Sequence, residues 1–408
     1  MKRVATLISE YRPNSHADVI VGRMLGGYYY DGRHNDSSMD VVSMYTDQVP
    51  DNDMSRELAR QHGFQLVPSI RHALTMTSDQ SMGGRELAVD GVVLICEHGA
   101  YPDNPLGQKL YPRYEFFKAV IDVFRETRQT VPVFLDKHLS WDWHKAKWMY
   151  DQARELDFPF MAGSVIPLAR HADLRWPWQQ PMVHAVKLWH AAFQGNKDSY
   201  GFHALEELQS MVERRAGGET GVTGVTCHTG EPVWRWTEAH PWAQLLLEAV
   251  SGVDLPTART TVPDPMVFVV TYADGLQAAI YRVNDLDCAN TFGALTDLQT
   301  GPHVTPDTAA TPRRVHLPAA VADRYPVANH FAAEVHLIEQ MMHGAPVEHP
   351  VERTLLTTGV LAALHESSYQ PAAMYGRTMQ HGAFLAEGRH VATPHLLIAY
   401  SPHQETGS

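Results

Sequence analysis

Cysteine is scarce in this 408-residue chain: Cys96, Cys227 and Cys288 are the only three, and they stand far apart. That excludes a disulfide framework and a thiolate zinc centre, and leaves buried free thiols in a reducing compartment as the expectation. No apolar run approaches the ~20 residues of a membrane span, and the opening MKRVATLISEYRPN holds no segment of signal-peptide length. A soluble cytoplasmic protein is expected. Positive charge is also in deficit. Lys+Arg number 33 against Asp+Glu 46, a net charge of −13, which argues against a nucleic-acid or anionic-membrane partner and for a small-molecule one. Apolar residues make up 44%, enough for the cores of two domains. What abounds is histidine, 24 of them with 9 Trp and 16 Tyr, which leaves room for acid–base or metal chemistry.

The stretch the chain is organised around is VPVFLDKHLSWDWHKAKWMYDQARELDFPFMAGS, residues 131–164. Val131 to Leu135 is an apolar run short enough for a buried strand. Asp136, Lys137 and His138 follow at once, and Ser140 is placed to cap a helix carrying Ala146, Met149, Ala153 and Leu156. Phe158 to Ala162 reads as the next strand. Three groups able to move a proton thus stand at the carboxyl end of a strand that feeds a helix, the edge where open parallel sheets bind ligands. The bland alternative is a surface Asp–Lys pair with a histidine starting the loop.

The rest of the first 165 residues alternates in the same way. Strands are expected at Val4 to Ser9, Val41 to Tyr45 and Gly91 to Cys96. Between them, helices are capped by Asn14 or Ser15, closed by Gly26-Gly27, then capped by Asp51 or Asp53 and ended at Gly63. Tyr114 to Thr127 is amphipathic. Such alternation predicts a Rossmann-like parallel sheet over residues 1–165. Beyond it the character changes. Strands are expected at Met182 to Trp189, Gly221 to His228, Val233 to Trp236, Pro265 to Tyr272 and Gln277 to Val283, with Asp274-Gly275 as a hairpin turn. Helices are expected at Phe202 to Arg214, Trp242 to Val250, Phe331 to His343 and Pro350 to Ser368. A Pro/Ala/Thr-rich connection spans 302–326, a last strand is expected at Leu396 to Tyr400, and the tail 403–408 reads as disordered. Residues 166–408 therefore form an α+β domain on an open, largely antiparallel sheet. Glu206, Arg214, Arg215 and Glu219 read as a solvated or interface helix end.

This order resembles the glucose–fructose oxidoreductase/inositol dehydrogenase-like (Gfo/Idh/MocA) family, over most of the chain. The family has Glu-Lys-Pro after its fifth strand, where this chain has Asp136-Lys137-His138 followed by Phe160-Met161-Ala162-Gly163. Its Asp-x-Gly-x-His helix start resembles Ser199-Tyr200-Gly201-Phe202-His203, with Asp198 adjacent to the substituted position. Its late helices resemble FAAEVHLIEQMMHGAPVEHP and LLTTGVLAALHESSYQ. The resemblance implies an oxidoreductase that uses NAD(P) on a small polyhydroxylated or sugar-derived substrate in an interdomain cleft. It implies acid–base roles for Lys137 and His203, assisted by Asp136 and His138, and a homo-oligomer built through the second-domain sheet.

The chain departs from the family at the first strand–helix turn. A dinucleotide fold places Gly-x-Gly-x-x-Gly there so that backbone can approach a pyrophosphate. Here the turn is Ser9-Glu10-Tyr11-Arg12-Pro13-Asn14-Ser15-His16, without glycine. Glu10 would repel the anion and Tyr11 would crowd it, while Arg12, Ser15 and the helix start could hold it. Asp47 falls where the family has its ribose-binding acid, and Glu97 follows the Gly91 to Cys96 strand at the same edge. An alternative without dinucleotide is a lyase, epimerase or hydrolase with a Zn, Mn or Fe ion among His16, Glu97, His98 and His138. A non-catalytic binding protein is the third alternative. His98, Tyr101, Lys109, Tyr111, Arg113 and Trp141 are candidate substrate contacts, the loop residues acting as a lid and the tryptophan as a stacking surface.

Overall fold

The structure, a computed structural model, describes residues 1–76, 86–168, 179, 181–189, 197–286, 291–295, 313–314, 328–347, 349–375 and 378–401. Two compact units emerge. One comprises Met1–Pro102, Lys109–Arg170 and Leu317–Leu355, the other Asp103–Gln108, His171–His316 and Leu356–Ser408. The expected tail at 403–408, Cys288 and most of the 302–326 connection lie outside the described residues. Cys96 and Cys227 are buried free thiols.

The first unit runs β1 (Lys2–Glu10), α1 (His16–Gly26), β2 (Tyr28–Tyr30), β3 (Arg33–Asn35), β4 (Met39–Gln48), α2 (Ser55–His62), β5 (Gln65–Leu66) and α3 (Ile70–Thr75). It continues with β6 (Gly91–Ile95), α4 (Arg113–Thr127), β7 (Val133–Asp136), α5 (Trp143–Glu155) and β8 (Phe160–Gly163). Six strands pair in parallel in the order β5-β4-β1-β6-β7-β8. Counted along the chain within this sheet, that is 3-2-1-4-5-6, the doubly wound dinucleotide-fold order. Val4 to Ser9 in β1 and all of β6 and β7 are buried, as strands covered on both faces must be.

Local chemistry sets the helix ends. Ser15 caps α1 in an extended conformation with its side chain accepting from the Asp18 N–H, and Gly27 closes the helix at φ 78°. Two expectations at this level shift. The cap of α5 is Asp142, whose carboxylate accepts the Lys145 N–H at 2.8 Å, not Ser140. Met54, not Asp51 or Asp53, occupies the α2 cap position; Asp53 instead accepts from the Ser55 hydroxyl. Residues 28–35 form the β2–β3 hairpin.

In the second unit β9 (His184–Trp189), α6 (Ser199–Val212), β10 (Val222–Thr229), α7 (Glu231–Ala239), α8 (Pro241–Ser251) and α9 (Leu255–Thr261) are followed by β11 (Met266–Tyr272), β12 (Gln277–Arg282), β13 (Thr291–Leu295) and β14 (Arg313–Arg314). A seven-stranded sheet has the order β14-β13-β9-β12-β11-β10-β15, where β15 is Val391–Ala392. Its pairings are antiparallel except β12 with β9. The Asp274-Gly275 turn joins β11 to β12, with Gly275 at φ 92°. Val233 to Trp236, expected as a strand, lies inside α7. Pro232 opens that helix, and Val233, Trp234 and Thr237 face inward at helical rather than alternating spacing. The strand expected at Leu396 to Tyr400 is absent as well: Pro394–Leu396 is a 3-10 turn, and Tyr400 makes an isolated bridge to Glu219. Of the helix end read as solvated or interface, Glu206, Arg215 and Glu219 are buried, with Arg215 paired to Glu219 and Asp274 and Glu206 accepting from the Thr357 hydroxyl. Helix α10 (Phe331–Met342) belongs to the first unit, where it packs on α1; α11 (Val351–Ser367) follows.

Candidate active site

The carboxyl edge of the parallel sheet gathers ionisable groups from three adjacent strands. β1 leads into His16, β6 into Glu97 and His98, and β7 ends in Asp136 and runs on to Lys137 and His138. These strands flank the point where the sheet order reverses, the place where open α/β sheets hold ligands. His16 Nδ1 and Asp136 Oδ2 are 2.6 Å apart, and the His16 and His98 rings stand 5.4 Å apart. Lys137 Nζ lies 3.5 Å from Glu97 Oε1. Arg113 pairs with Glu97 through one terminal nitrogen and reaches His138 Nε2 at 3.2 Å through the other. Arginine can only donate, so His138 Nε2 accepts and the imidazole proton sits on Nδ1.

Burial makes these pairings consequential. Asp136, Lys137, His138, Glu97 and Arg113 are all at most 4% exposed. Burial works against an ionised Glu97, but the charges of Lys137 and Arg113, with His16 and His98 behind them, hold its carboxyl well below the usual range. Burial first, and then the charge of His16, bring His98 down to about 4, so it is neutral at physiological pH. Lys137 carries a second mark. Its φ is 76°, in the left-handed region where a non-glycine residue is strained, and its N–H donates to Gly163 at 2.9 Å. The β7 end thus turns abruptly where the lysine departs, and the neighbouring strand holds that turn.

The loop residues divide. Arg113, expected on a lid over the cleft, is instead fully buried between Glu97 and His138. Tyr111 sits beneath its guanidinium at 5.1 Å and beside Tyr101 at 5.7 Å. Lys109 donates to the Tyr101 carbonyl at 3.1 Å. Trp141 is half-buried, with Lys145 Nζ 4.7 Å from its ring centre. His203 lies on α6 of the second unit. In that unit Asp198 and His365 are buried together at 3.6 Å, and Lys197 donates to the Ser368 hydroxyl. His365 and, in the first unit, Glu334 escaped the sequence reading; each lies within an ordinary helical pattern.

The first turn does not fit a pyrophosphate in the usual pose. Tyr11 is fully buried where the fold normally has a glycine, and its carbonyl accepts the Met54 N–H. The start of α1 is closed by its own side chains: Ser15 Oγ accepts from the Asp18 N–H, and Asp18 Oδ2 accepts from the Asn14 N–H at 2.9 Å. Glu10 pairs with Arg12 at 2.7 Å. Two carboxylates, Glu10 and Asp18, therefore stand where the fold usually receives phosphate, and a further anion would be repelled. Asp47 accepts from both Tyr45 and Tyr101. The metal expectation is corrected too. Among the described residues no group of three or more His, Cys, Asp or Glu is disposed to hold a metal ion. The physical reason is that Glu97 faces two cations, His16 faces Asp136, and His138 accepts from Arg113.

No protein-family model and no curated protein matches this sequence. Solved structures do. The chain is similar to GenD2 from gentamicin A biosynthesis in complex with NAD, at 13% identity and a TM-score of 0.52, covering 96% of this chain and 97% of that one. It is similar to scyllo-inositol dehydrogenase from Lactobacillus casei at 10% identity and TM-score 0.52, covering 90% and 95%. It is also similar to myo-inositol 2-dehydrogenase from Lactobacillus plantarum at 10% identity and TM-score 0.50, covering 90% and 96%. The architecture is that of the Gfo/Idh/MocA-type dehydrogenases: a Rossmann-like sheet joined to an α+β sheet unit. Among the described residues no helix is long and apolar enough to cross a membrane.

Proposed function

We propose that this chain is an oxidoreductase-class enzyme acting on small polyhydroxylated or sugar-derived molecules, with Lys137 giving or taking the proton at a substrate hydroxyl or carbonyl. The observation that carries this reading is Lys137 itself: a buried ammonium on a strained turn at the switch edge, held by Glu97. Glu97 and Arg113 fix where its nitrogen lies, and the His16–Asp136 pair offers a second proton-moving group from the neighbouring strand end. NAD in one fold neighbour and inositol substrates in two others support the oxidoreductase class and the hydroxylated substrate. His203 is the candidate second acid–base group. A second reading, a non-redox lyase, epimerase or hydrolase on the same scaffold, is favoured by the self-closed first turn.

A thermal-shift screen of NAD(H), NADP(H), inositols, aldoses and sugar acids tests both, followed by turnover assays on each hit with wild type and Lys137→Met. The reading expects stabilisation by a hydroxylated ligand and turnover lost in Lys137→Met. A dinucleotide shift supports the redox reading. Turnover without nicotinamide change supports the second. If no hydroxylated compound binds, or Lys137→Met turns over like wild type, the proposal is wrong.

A further inference from the structure

Glu334 lies in the first turn of α10, three residues after Phe331, whose ring packs edge-on against His16 at 5.0 Å. It is fully buried, and neither carboxyl oxygen has a hydrogen-bond partner among the described residues. Its α10 turn is fastened to α1 by Arg23, which donates to the carbonyls of Val19 and Ala328. The charged groups it faces are Asp136 and Lys137 at the β7 end and Arg23 on α1. Asp136 and Glu334 are both buried carboxyls, and of the two Asp136 has a close partner, in His16.

An ionised carboxylate left without donors in such a place is untenable, and two like charges cannot both persist there. One proton must stay. We propose that Glu334 is a buried carboxylic acid beside this site that keeps its proton at neutral pH, so that the α10 turn next to His16 adds no negative charge to it. Burial, followed by the Asp136 charge, supports this by pushing the Glu334 carboxyl well above its usual range, against Lys137 and Arg23. A helix face that looks like ordinary packing in the sequence therefore holds a proton rather than a charge.

The inference rests on the site reading above but is tested without substrate, so it can fail while the activity assay succeeds. Infrared spectroscopy of the full chain reads the protonated carboxyl stretch directly. Wild type is expected to show a dry carboxyl band at neutral pH that Glu334→Gln, nearly isosteric, removes. In Asp136→Asn the like charge is gone, and the band should disappear at a pH lower by a unit or more, a proton affinity at least tenfold weaker. A wild type without the band at neutral pH overturns the proposal. So does a band that survives Glu334→Gln, or a band whose titration is unmoved in Asp136→Asn.

Discussion

Replacing Glu97 by glutamine probes the cluster most sharply. The carboxylate is buried between Arg113 and Lys137, both equally buried, so the amide would leave two cations without their shared anion. Breaking a buried pair by removing one partner costs about 3–5 kcal/mol, far more than an exposed pair. The sign of the pH dependence follows from the depressed folded-state value. Glu97 ionises at 4.5 when unconstrained, so its contribution is complete above that pH and fades as pH falls toward its folded value. Glutamine cannot titrate. The gap between wild type and Glu97→Gln should therefore be widest near neutrality and narrow by about 1.4 kcal/mol for each pH unit below 4.5. Urea unfolding of both proteins at pH 7 and pH 3 measures it. Equal midpoints at pH 7, or a gap that does not change with acid, would refute the claim that Glu97 is the ionised centre of this cluster.

Other expectations follow from single positions. Lys137→Gly should be more stable than Lys137→Ala by about 1 kcal/mol, since only glycine is at ease at φ 76°, although both lose the amine; equal unfolding midpoints would mean the turn is unstrained. His98, depressed to about 4, binds its proton more readily in the unfolded chain, so it erodes stability as pH falls from 6.5. His98→Gln should flatten the stability–pH curve between 6.5 and 4 by up to about 1.4 kcal/mol per unit, and an unchanged slope would contradict it. Gly221→Ala should cost roughly 3 kcal/mol, because its Cβ would meet the backbone of Leu396, Leu397 and Ile398 at 2.6 Å and its φ is 93°; chemical denaturation reads this directly. Ser15→Ala should lose about 1 kcal/mol of α1 capping without unfolding the chain.

Much of the architecture was legible because its signals are local. The apolar runs of β1, β6 and β7 are buried on both faces, so they read as continuous hydrophobic stretches, and Ser15, Gly27 and Gly63 punctuate helices by their own chemistry. Where local signals competed, reading failed. Val233 to Trp236 is rich in β-favouring side chains, yet Pro232 and the spacing of Val233, Trp234 and Thr237 make it a helix. Arg215 and Glu219 look like a solvated helix end because charge usually means surface; their ion pair, completed by Asp274 from a turn 55 positions beyond Glu219, lets them be buried.

Sequence by itself determined that Asp136, Lys137 and His138 stand at a strand end and that the first turn lacks the glycines a pyrophosphate needs, because both follow from neighbours within a few residues. Only tertiary structure decided their partners. Glu97, Arg113 and Lys137 meet because β6 pairs with β7 and α4 begins beside them, and His16 reaches Asp136 across 120 positions of chain. Glu334 comes from farther still, on a helix that returns to α1 after the second unit has intervened. A side chain's charge state is set by what burial removes and which charges remain nearby, and neither is written in its own stretch of sequence.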